Sequence, residues 1–228
     1  MALCAKEISK SYLRQREDSN IFCAVEPVDF MLEEGVITCL SGPSGSGKTT
    51  LLSMLAGILK PTAGTVSLDD TDLYSMNDRA LSRFRCEHFG VIPQGQTALQ
   101  SLTVLENVML PCLLSGGRRD DALIARAEAL LARVGIGELR DVMPRELSGG
   151  ELRRMAIARA LVHSPEIILA DEPTADLDDD NTDIVLSVLR EAADSGKAVL
   201  VVTHDRKVMD FADRVYHMYR GKIQAPDK

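Results

Sequence analysis

The chain has no excess of basic residues, no apolar run of membrane-spanning length and no paired cysteines. Its 26 Lys and Arg stand against 34 Asp and Glu, a formal net charge of −8, which is the wrong sign for gripping a polyanion by phosphate neutralisation. Nucleic acid is not an expected partner. The most apolar stretches, Leu51 to Leu59 and Ala198 to Val202, fall well below the roughly 18–20 residues that a spanning helix needs, so any membrane role must pass through a partner. The opening Met1-Ala2-Leu3-Cys4-Ala5-Lys6-Glu7 lacks the basic-then-apolar layout and cleavage site of a secretory signal, and no lipid-box context surrounds Cys4. Five cysteines, Cys4, Cys23, Cys39, Cys86 and Cys112, are odd in number and widely spaced, as suits reduced thiols in the cytoplasm. His88, His163, His204 and His217 are equally scattered, so a Cys/His metal site is not expected.

What is present is 228 residues with 45% hydrophobic content, enough for one sizeable core or for a domain with an attached lobe. There is no internal repeat, low-complexity run or long linker. Ile21 to Val25, Val36 to Leu40 and Thr65 to Leu68 read as strands, the last after a turn at Pro61-Thr62-Ala63-Gly64. A helix is expected from about Gly47. In the middle, Leu123, Ala127, Leu130, Leu131 and Val134 recur at helical spacing, and Thr103 to Leu114 is a second apolar helix. With few strand signals before Ile167, this predicts a helical lobe over 95–163, with Gly116-Gly117 as its turn. Buried strands then return at Ile167 to Ala170 and Ala198 to Val202 around a helix near Asp180 to Ala193, the pattern of a parallel α/β sheet.

Gly42-Pro43-Ser44-Gly45-Ser46-Gly47-Lys48-Thr49 fits G-x-x-x-x-G-K-[ST] between an apolar strand and a helix, the context that identifies a P-loop. Its glycines let backbone N–H groups wrap the β-phosphate of a nucleotide, Lys48 reaches the β/γ oxygens and the Thr49 hydroxyl coordinates Mg²⁺. Ser41 leads into this loop, and Thr50 adds a contact to the α-phosphate. Ile167-Ile168-Leu169-Ala170 ends in Asp171-Glu172, two carboxylates at the sheet edge that meets the P-loop. Asp171 is expected to hold Mg²⁺ and Glu172 to polarise or position the attacking water. Leu147-Ser148-Gly149-Gly150-Glu151 opens another helix. Ser148 reads as an N-cap with Glu151 completing a capping box, while its hydroxyl and the Gly149 and Gly150 amides also make a second anion site.

A P-loop followed by Leu-Ser-Gly-Gly and then by the Asp-Glu strand resembles the ABC-transporter nucleotide-binding domain over essentially the whole chain. That resemblance implies an α/β P-loop NTPase core of RecA type with an antiparallel β-subdomain, over 1–94 and 164–228, and an inserted α-helical subdomain over 95–163. Tyr12 matches the aromatic that stacks on adenine, although a strand tyrosine packing on the core explains it too. Gln94 matches the glutamine that contacts Mg²⁺ and the lytic water, Asp178 the aspartate of the loop crossing the dimer interface, and His204 the histidine that touches the γ-phosphate. The resemblance further implies a head-to-tail dimer of two copies, each ATP held by the P-loop of one and by Ser148 and Gly150 of the other. An integral-membrane permease is the implied partner, with the chain peripheral on the cytoplasmic face of the membrane.

Within the family, Leu81-Ser82-Arg83-Phe84-Arg85, Leu102 to Pro111 and Ala170-Asp171-Glu172-Pro173-Thr174 resemble the branch that serves MacB, LolCDE and FtsX-type permeases. Residues 94–114 would dock the permease's coupling helix, although helix packing explains the same apolar residues. An FtsE-like ATPase that regulates an envelope process without transport fits the sequence as well. A DNA-repair or ribosome-associated relative would carry a coiled-coil or zinc insertion or a second cassette, and none is present. Two departures stand out. Glu151 replaces the family's glutamine and brings an acid near a γ-phosphate unless it points away as a capping residue. Pro93 stands where many relatives have Phe, restricting Ile92 and removing a donor.

Overall fold

In the computed structural model, residues 2–13, 21–95 and 97–224 are described. The N-terminal part builds an antiparallel layer: β1 (Leu3–Leu13) pairs with β2 (Ile21–Leu32) on one side and with β4 (Ala63–Leu68) on the other, and β4 pairs with β5 (Thr71–Asp72), in the order β2-β1-β4-β5. The β1 ladders shift register between Ala5 and Ile8, between Ile8 and Ser11, and between Lys6 and Ser9. Such bulges twist the long strands locally.

The second layer is a six-stranded sheet made of β3 (Ile37–Ser41), β6 (Phe89–Ile92), β7 (Ile167–Asp171), β8 (Ala198–Val202), β9 (Arg214–Tyr219) and β10 (Lys222–Ile223). Its order is β10-β9-β3-β8-β7-β6, parallel throughout except for the terminal β10. Every residue of β3, β7 and β8 is buried, because both faces of a parallel sheet are covered by its crossovers. Alternation then sorts the side chains between two cores. Ile168, Ala170, Val199 and Val201 join the helices of one face, and Ile167, Leu169, Leu200 and Val202 join α1 (Lys48–Leu55) and the antiparallel layer on the other.

Between β6 and β7 the chain is helical. α3 (Val104–Leu114) starts at a Thr103–Glu106 capping box, and α4 (Asp121–Arg133) buries Leu123, Ala127, Leu130 and Leu131 on one stripe. Both pack on α5 (Gly149–Leu161). The wholly buried Asn107 accepts from the Leu99 N–H and donates to the carbonyls of Leu99, Leu102 and Thr103, which fixes the turn entering α3. α6 (Asp179–Asp194) and α7 (Arg206–Phe211) flank β8.

α2 (Asp78–His88) was not announced by apolar periodicity, since it buries only Leu81. Polar bonds hold it instead: Asn77 caps its first turn, and Arg85 donates from Nη1 to the Gly57 carbonyl at 2.8 Å.

Leu169 is fully buried in the strand that carries Asp171. Leu169→Ala is expected to lower stability by about 2–5 kcal/mol through the cavity left behind, read as a lower denaturant midpoint with an unchanged m-value.

Candidate functional site

Four adjacent parallel strands, β3, β8, β7 and β6, end side by side, and the chain leaves each carboxyl end into a segment carrying polar groups. Ser41 closes β3 and leads to the P-loop; Asp171 closes β7; Val202 leads to Thr203-His204; Ile92 leads to Pro93-Gln94. A cavity of about 730 Å³ lies over these ends, lined by Tyr12, Gly42, Pro43, Ser44, Gly45, Gly47, Lys48, Thr49, Thr50, Gln94, Asp171, Glu172 and His204, together with Phe22 and Ala24. Ligands of open α/β sheets bind outside the carboxyl ends of the strands for this topological reason.

The P-loop is shaped for an anion. Gly47, at φ 110°, precedes α1, and a Cβ there would lie 2.3 Å from the Ala24 carbonyl oxygen. Among the described residues no side chain caps α1, whereas Asn77, Thr103, Asp120, Ser148, Asp178 and Asp205 each cap a later α-helix through a side-chain oxygen. The N–H groups at the start of α1 therefore face the cavity without a side-chain acceptor. Ser46 Oγ is buried and has no hydrogen-bond partner among the described residues. Lys48, also buried, turns its ammonium back onto the Gly42 and Pro43 carbonyls at 2.7 and 3.1 Å.

Opposite lies the acid pair. Thr49 donates from its hydroxyl to Asp171 Oδ2 at 2.8 Å, joining the two side chains expected to share a metal ion. Burial pushes the Asp171 carboxyl above its ordinary value; the Thr49 bond opposes this, Glu172 adds to the rise, and Lys48 and Arg153 pull it back. A hydroxyl and a carboxylate beside a phosphate-shaped loop are the hard oxygen donors that suit Mg²⁺. Glu172 takes φ 51°, unusual for a residue with a side chain. Its backbone N–H donates to the Val202 carbonyl, while Thr203 donates to Oε2 and His204 Nδ1 lies against Oε1, both at 2.8 Å. The Glu172 side chain is only 11% exposed, and the His204 ring is 79% exposed on the cavity side. Cys39, in β3, has its thiol pushed up to about 12 by burial and then by the Glu172 and Asp205 charges, so it remains protonated and unreactive.

Tyr12 lines the cavity and is 39% exposed, with the Lys10 ammonium 5.4 Å from its ring centre. Ser148, Gly149, Gly150 and Asp178 do not line the cavity. Ser148 caps α5 with its hydroxyl oxygen, and Glu151 folds back to accept from the Ser148 N–H and hydroxyl at 2.7 and 2.8 Å. Those two bonds hold the Glu151 carboxyl below its usual range. Glu151 is thus a capping residue turned onto Ser148. Asp178 caps α6 by accepting from the Asn181 N–H. Sequence reasoning passed over Thr203, which had no motif of its own, and Arg153, whose guanidinium donates to the Pro93 and Gln94 carbonyls, both at 2.7 Å.

Residues 25–175 match the model of the ABC transporter family. An uncharacterised ABC transporter ATP-binding protein of Mycobacterium tuberculosis is 42% identical over 203 residues, covering 88% of this chain and 61% of the relative. The macrolide export ATP-binding/permease protein MacB of Salmonella typhimurium is 37% identical over 223 residues, covering 98% of this chain and 34% of MacB. The chain thus spans about three fifths and one third of these relatives' lengths. Among solved structures, the bacterial ABC transporter cassette MJ0796, a dimer, superposes with a TM-score of 0.93 at 33% identity, covering 99% of this chain and 98% of that one. The same cassette in a post-hydrolysis state bound to ADP and Pi gives 0.92 with the same identity and coverage. With a strand-ended cleft, a P-loop and an Asp-Glu pair joined to it through Thr49, the chain belongs to the ABC transporter family, as one of its ATP-binding domains.

Proposed function

We propose that this chain hydrolyses ATP to ADP and phosphate as one half of a head-to-tail dimer and uses the cycle to work a permease of the MacB, LolCDE or FtsX type. Supporting this is the convergence on one cleft of the P-loop, of Asp171 joined to Thr49, and of Glu172 held by Thr203 and His204. Similarity to a dimeric cassette and to MacB supports the two partners.

Nucleotide phosphates would replace the Gly42 and Pro43 carbonyls as acceptors for Lys48 and engage the Ser46 hydroxyl and the amides at the start of α1. Tyr12 stacks on the adenine, and Ser41 supports the loop from the end of β3. Thr49, Asp171 and Gln94 would hold Mg²⁺, which when bound neutralises charge on the β- and γ-phosphates. Glu172 accepts the proton of the attacking water, and Thr203 and His204 fix the orientation of its carboxylate. Hydrolysis needs a second contribution from outside: Ser148, Gly149 and Gly150 of another copy would close over the γ-phosphate, with Asp178 at the interface between the copies. Residues 95–163 form the lobe that carries this second site, and 1–94 with 164–228 the lobe that carries the P-loop. No helix among the described residues is long and apolar enough to cross a membrane, so the permease anchors the chain at the cytoplasmic face.

Glu172→Gln is expected to keep ATP binding, to lose at least about 10²-fold in turnover and to accumulate an ATP-bound dimer on size exclusion; Lys48→Ala loses nucleotide binding or turnover. Unchanged turnover in purified Glu172→Gln sinks the assignment. The same tagged variant, solubilised from membranes with ATP and Mg²⁺, should retain a permease identifiable by mass spectrometry, and recovery of soluble partners alone overturns the transporter reading.

A carboxyl whose folded-state pKa is raised opposes folding once ionised, and that penalty fades as pH falls through its folded and then its unfolded value. Asp171→Asn should therefore raise the nucleotide-free melting temperature at neutral pH, with a gain that shrinks toward acid, while removing Mg²⁺-dependent turnover. Glu151→Gln, which weakens the grip on the Ser148 hydroxyl, should strengthen ATP-driven dimerisation in a Glu172→Gln background, measured as a lower protein concentration at half-dimer.

A further inference from the structure

Arg153 sits in the second turn of α5, four residues beyond Gly149, and among the described residues its side chain forms no ion pair with a carboxylate. Its two terminal nitrogens donate to consecutive backbone carbonyls, Nη1 to Pro93 and Nη2 to Gln94, each at 2.7 Å. A planar guanidinium grips two acceptors in fixed geometry, which a flexible ammonium does not. The segment it holds is stiff at its start, since Ile92 is laddered to Ala170 in the sheet and Pro93 has a fixed φ. Arg153 thus ties α5 to the backbone of Gln94, whose side chain lines the larger cavity.

The surroundings keep Arg153 on this path. It is half-buried and lies in the field of Asp176, Asp171 and Glu172, and it borders a second cavity of about 230 Å³ together with Gln94, Gly149 and Asp176. Three segments thus meet around one cation: the start of α5, the stretch leaving β6, and the loop after Glu172. Arg159, further along α5, donates to the Thr97 carbonyl at 2.8 Å, so the helix holds the same stretch at a second point.

We propose that Arg153 is a positioning residue that links the Ser148–Gly150 end of α5 to Gln94, so that seating a second copy's nucleotide against α5 sets Gln94 for hydrolysis in its own chain. This rests on the hydrolytic reading above. Arg153 touches no nucleotide; it acts through Gln94. A plain structural staple between helix and strand would need the same two bonds but would not tie its effect to the Gln94 side chain.

The test is a double-mutant cycle on steady-state ATP turnover by the purified chain, using Arg153→Ala, Gln94→Ala and both together, with nucleotide affinity and melting temperature measured alongside. Arg153→Ala should lower kcat about tenfold or more, the equivalent of one hydrogen bond to a charged group, with KM and monomer ATP affinity unchanged within about twofold. In the Gln94→Ala background it should cost almost nothing further, because the residue through which it acts is already gone. Arg153→Lys, which keeps charge and stem but lacks the fork, should stay near the alanine value, and it replaces the alanine variant if that one does not fold. Losses that multiply independently in the double variant, or a kcat that tracks only the folded fraction, overturn the role of Arg153. A wild-type chain with no ATP turnover, or Gln94→Ala with full kcat, instead overturns the hydrolytic reading and removes this proposal with it.

Discussion

The register of four parallel strands is the constraint on which the rest depends. Leu40 lies opposite Val202, Asp171 opposite Val202 on the other side, and Ile92 opposite Ala170, so the ends of β3, β8, β7 and β6 fall nearly level. Shifting one strand by a residue would send its side chains to the opposite face, moving Ile168 and Ala170 out of the core that packs on the helices and Leu169 out of the one that packs on α1. The apolar cost of such a slip is borne by the whole sheet. The position of Asp171 against Thr49 is therefore fixed by buried side chains that take no part in the chemistry.

That rigidity lets two carboxylates sit side by side with little water. Asp171 is 3% exposed and Glu172 8%, and an unpaired buried charge is expensive. Each is met differently. Asp171 has the Thr49 hydroxyl as its partner and is pushed up by burial, a cost that a cation bound beside it would offset. Glu172 already has a hydroxyl, an imidazole and a distorted backbone holding its direction. The contrast suits the two proposed roles, Asp171 as the acid that would hold a metal and Glu172 as the acid that would hold water.

Much of this was legible in the chain because the relevant signals are local. The P-loop is contiguous, the Asp-Glu pair ends an unbroken apolar strand, and the α4 stripe follows helical spacing over its whole length. What stayed hidden lacks a local signal. α2 buries one side chain and so has no stripe; the bulges in β1 break the alternation that would mark its full length; β9 mixes buried and half-buried residues without strict alternation. Thr203 meets Glu172 across 31 residues and Arg153 meets Gln94 across 59, separations at which only the folded sheet brings partners together. The capping box at Ser148 was legible, yet its hydrogen bonding to Glu151 has a consequence for function that sequence alone left open.

In the isolated chain the Ser148 hydroxyl proton is committed to Glu151, and the same carboxylate takes the Ser148 N–H. In the proposed dimer, a phosphate from a second copy would compete for that hydroxyl against a charge-assisted bond and would approach a carboxylate of its own sign. Gly149 and Gly150 carry no side chain to compete in this way; a Cβ at Gly149 would meet nothing within 4 Å, whereas one at Gly150 would lie 3.1 Å from Leu177 Cδ2. On that proposed reading, the second anion site would offer the Gly149 and Gly150 amides directly, whereas the Ser148 hydroxyl would first have to leave Glu151. In the head-to-tail arrangement proposed above, loss of the Ser148–Glu151 bonds would oppose pairing, and nucleotide in the P-loop of the facing copy would offset that cost.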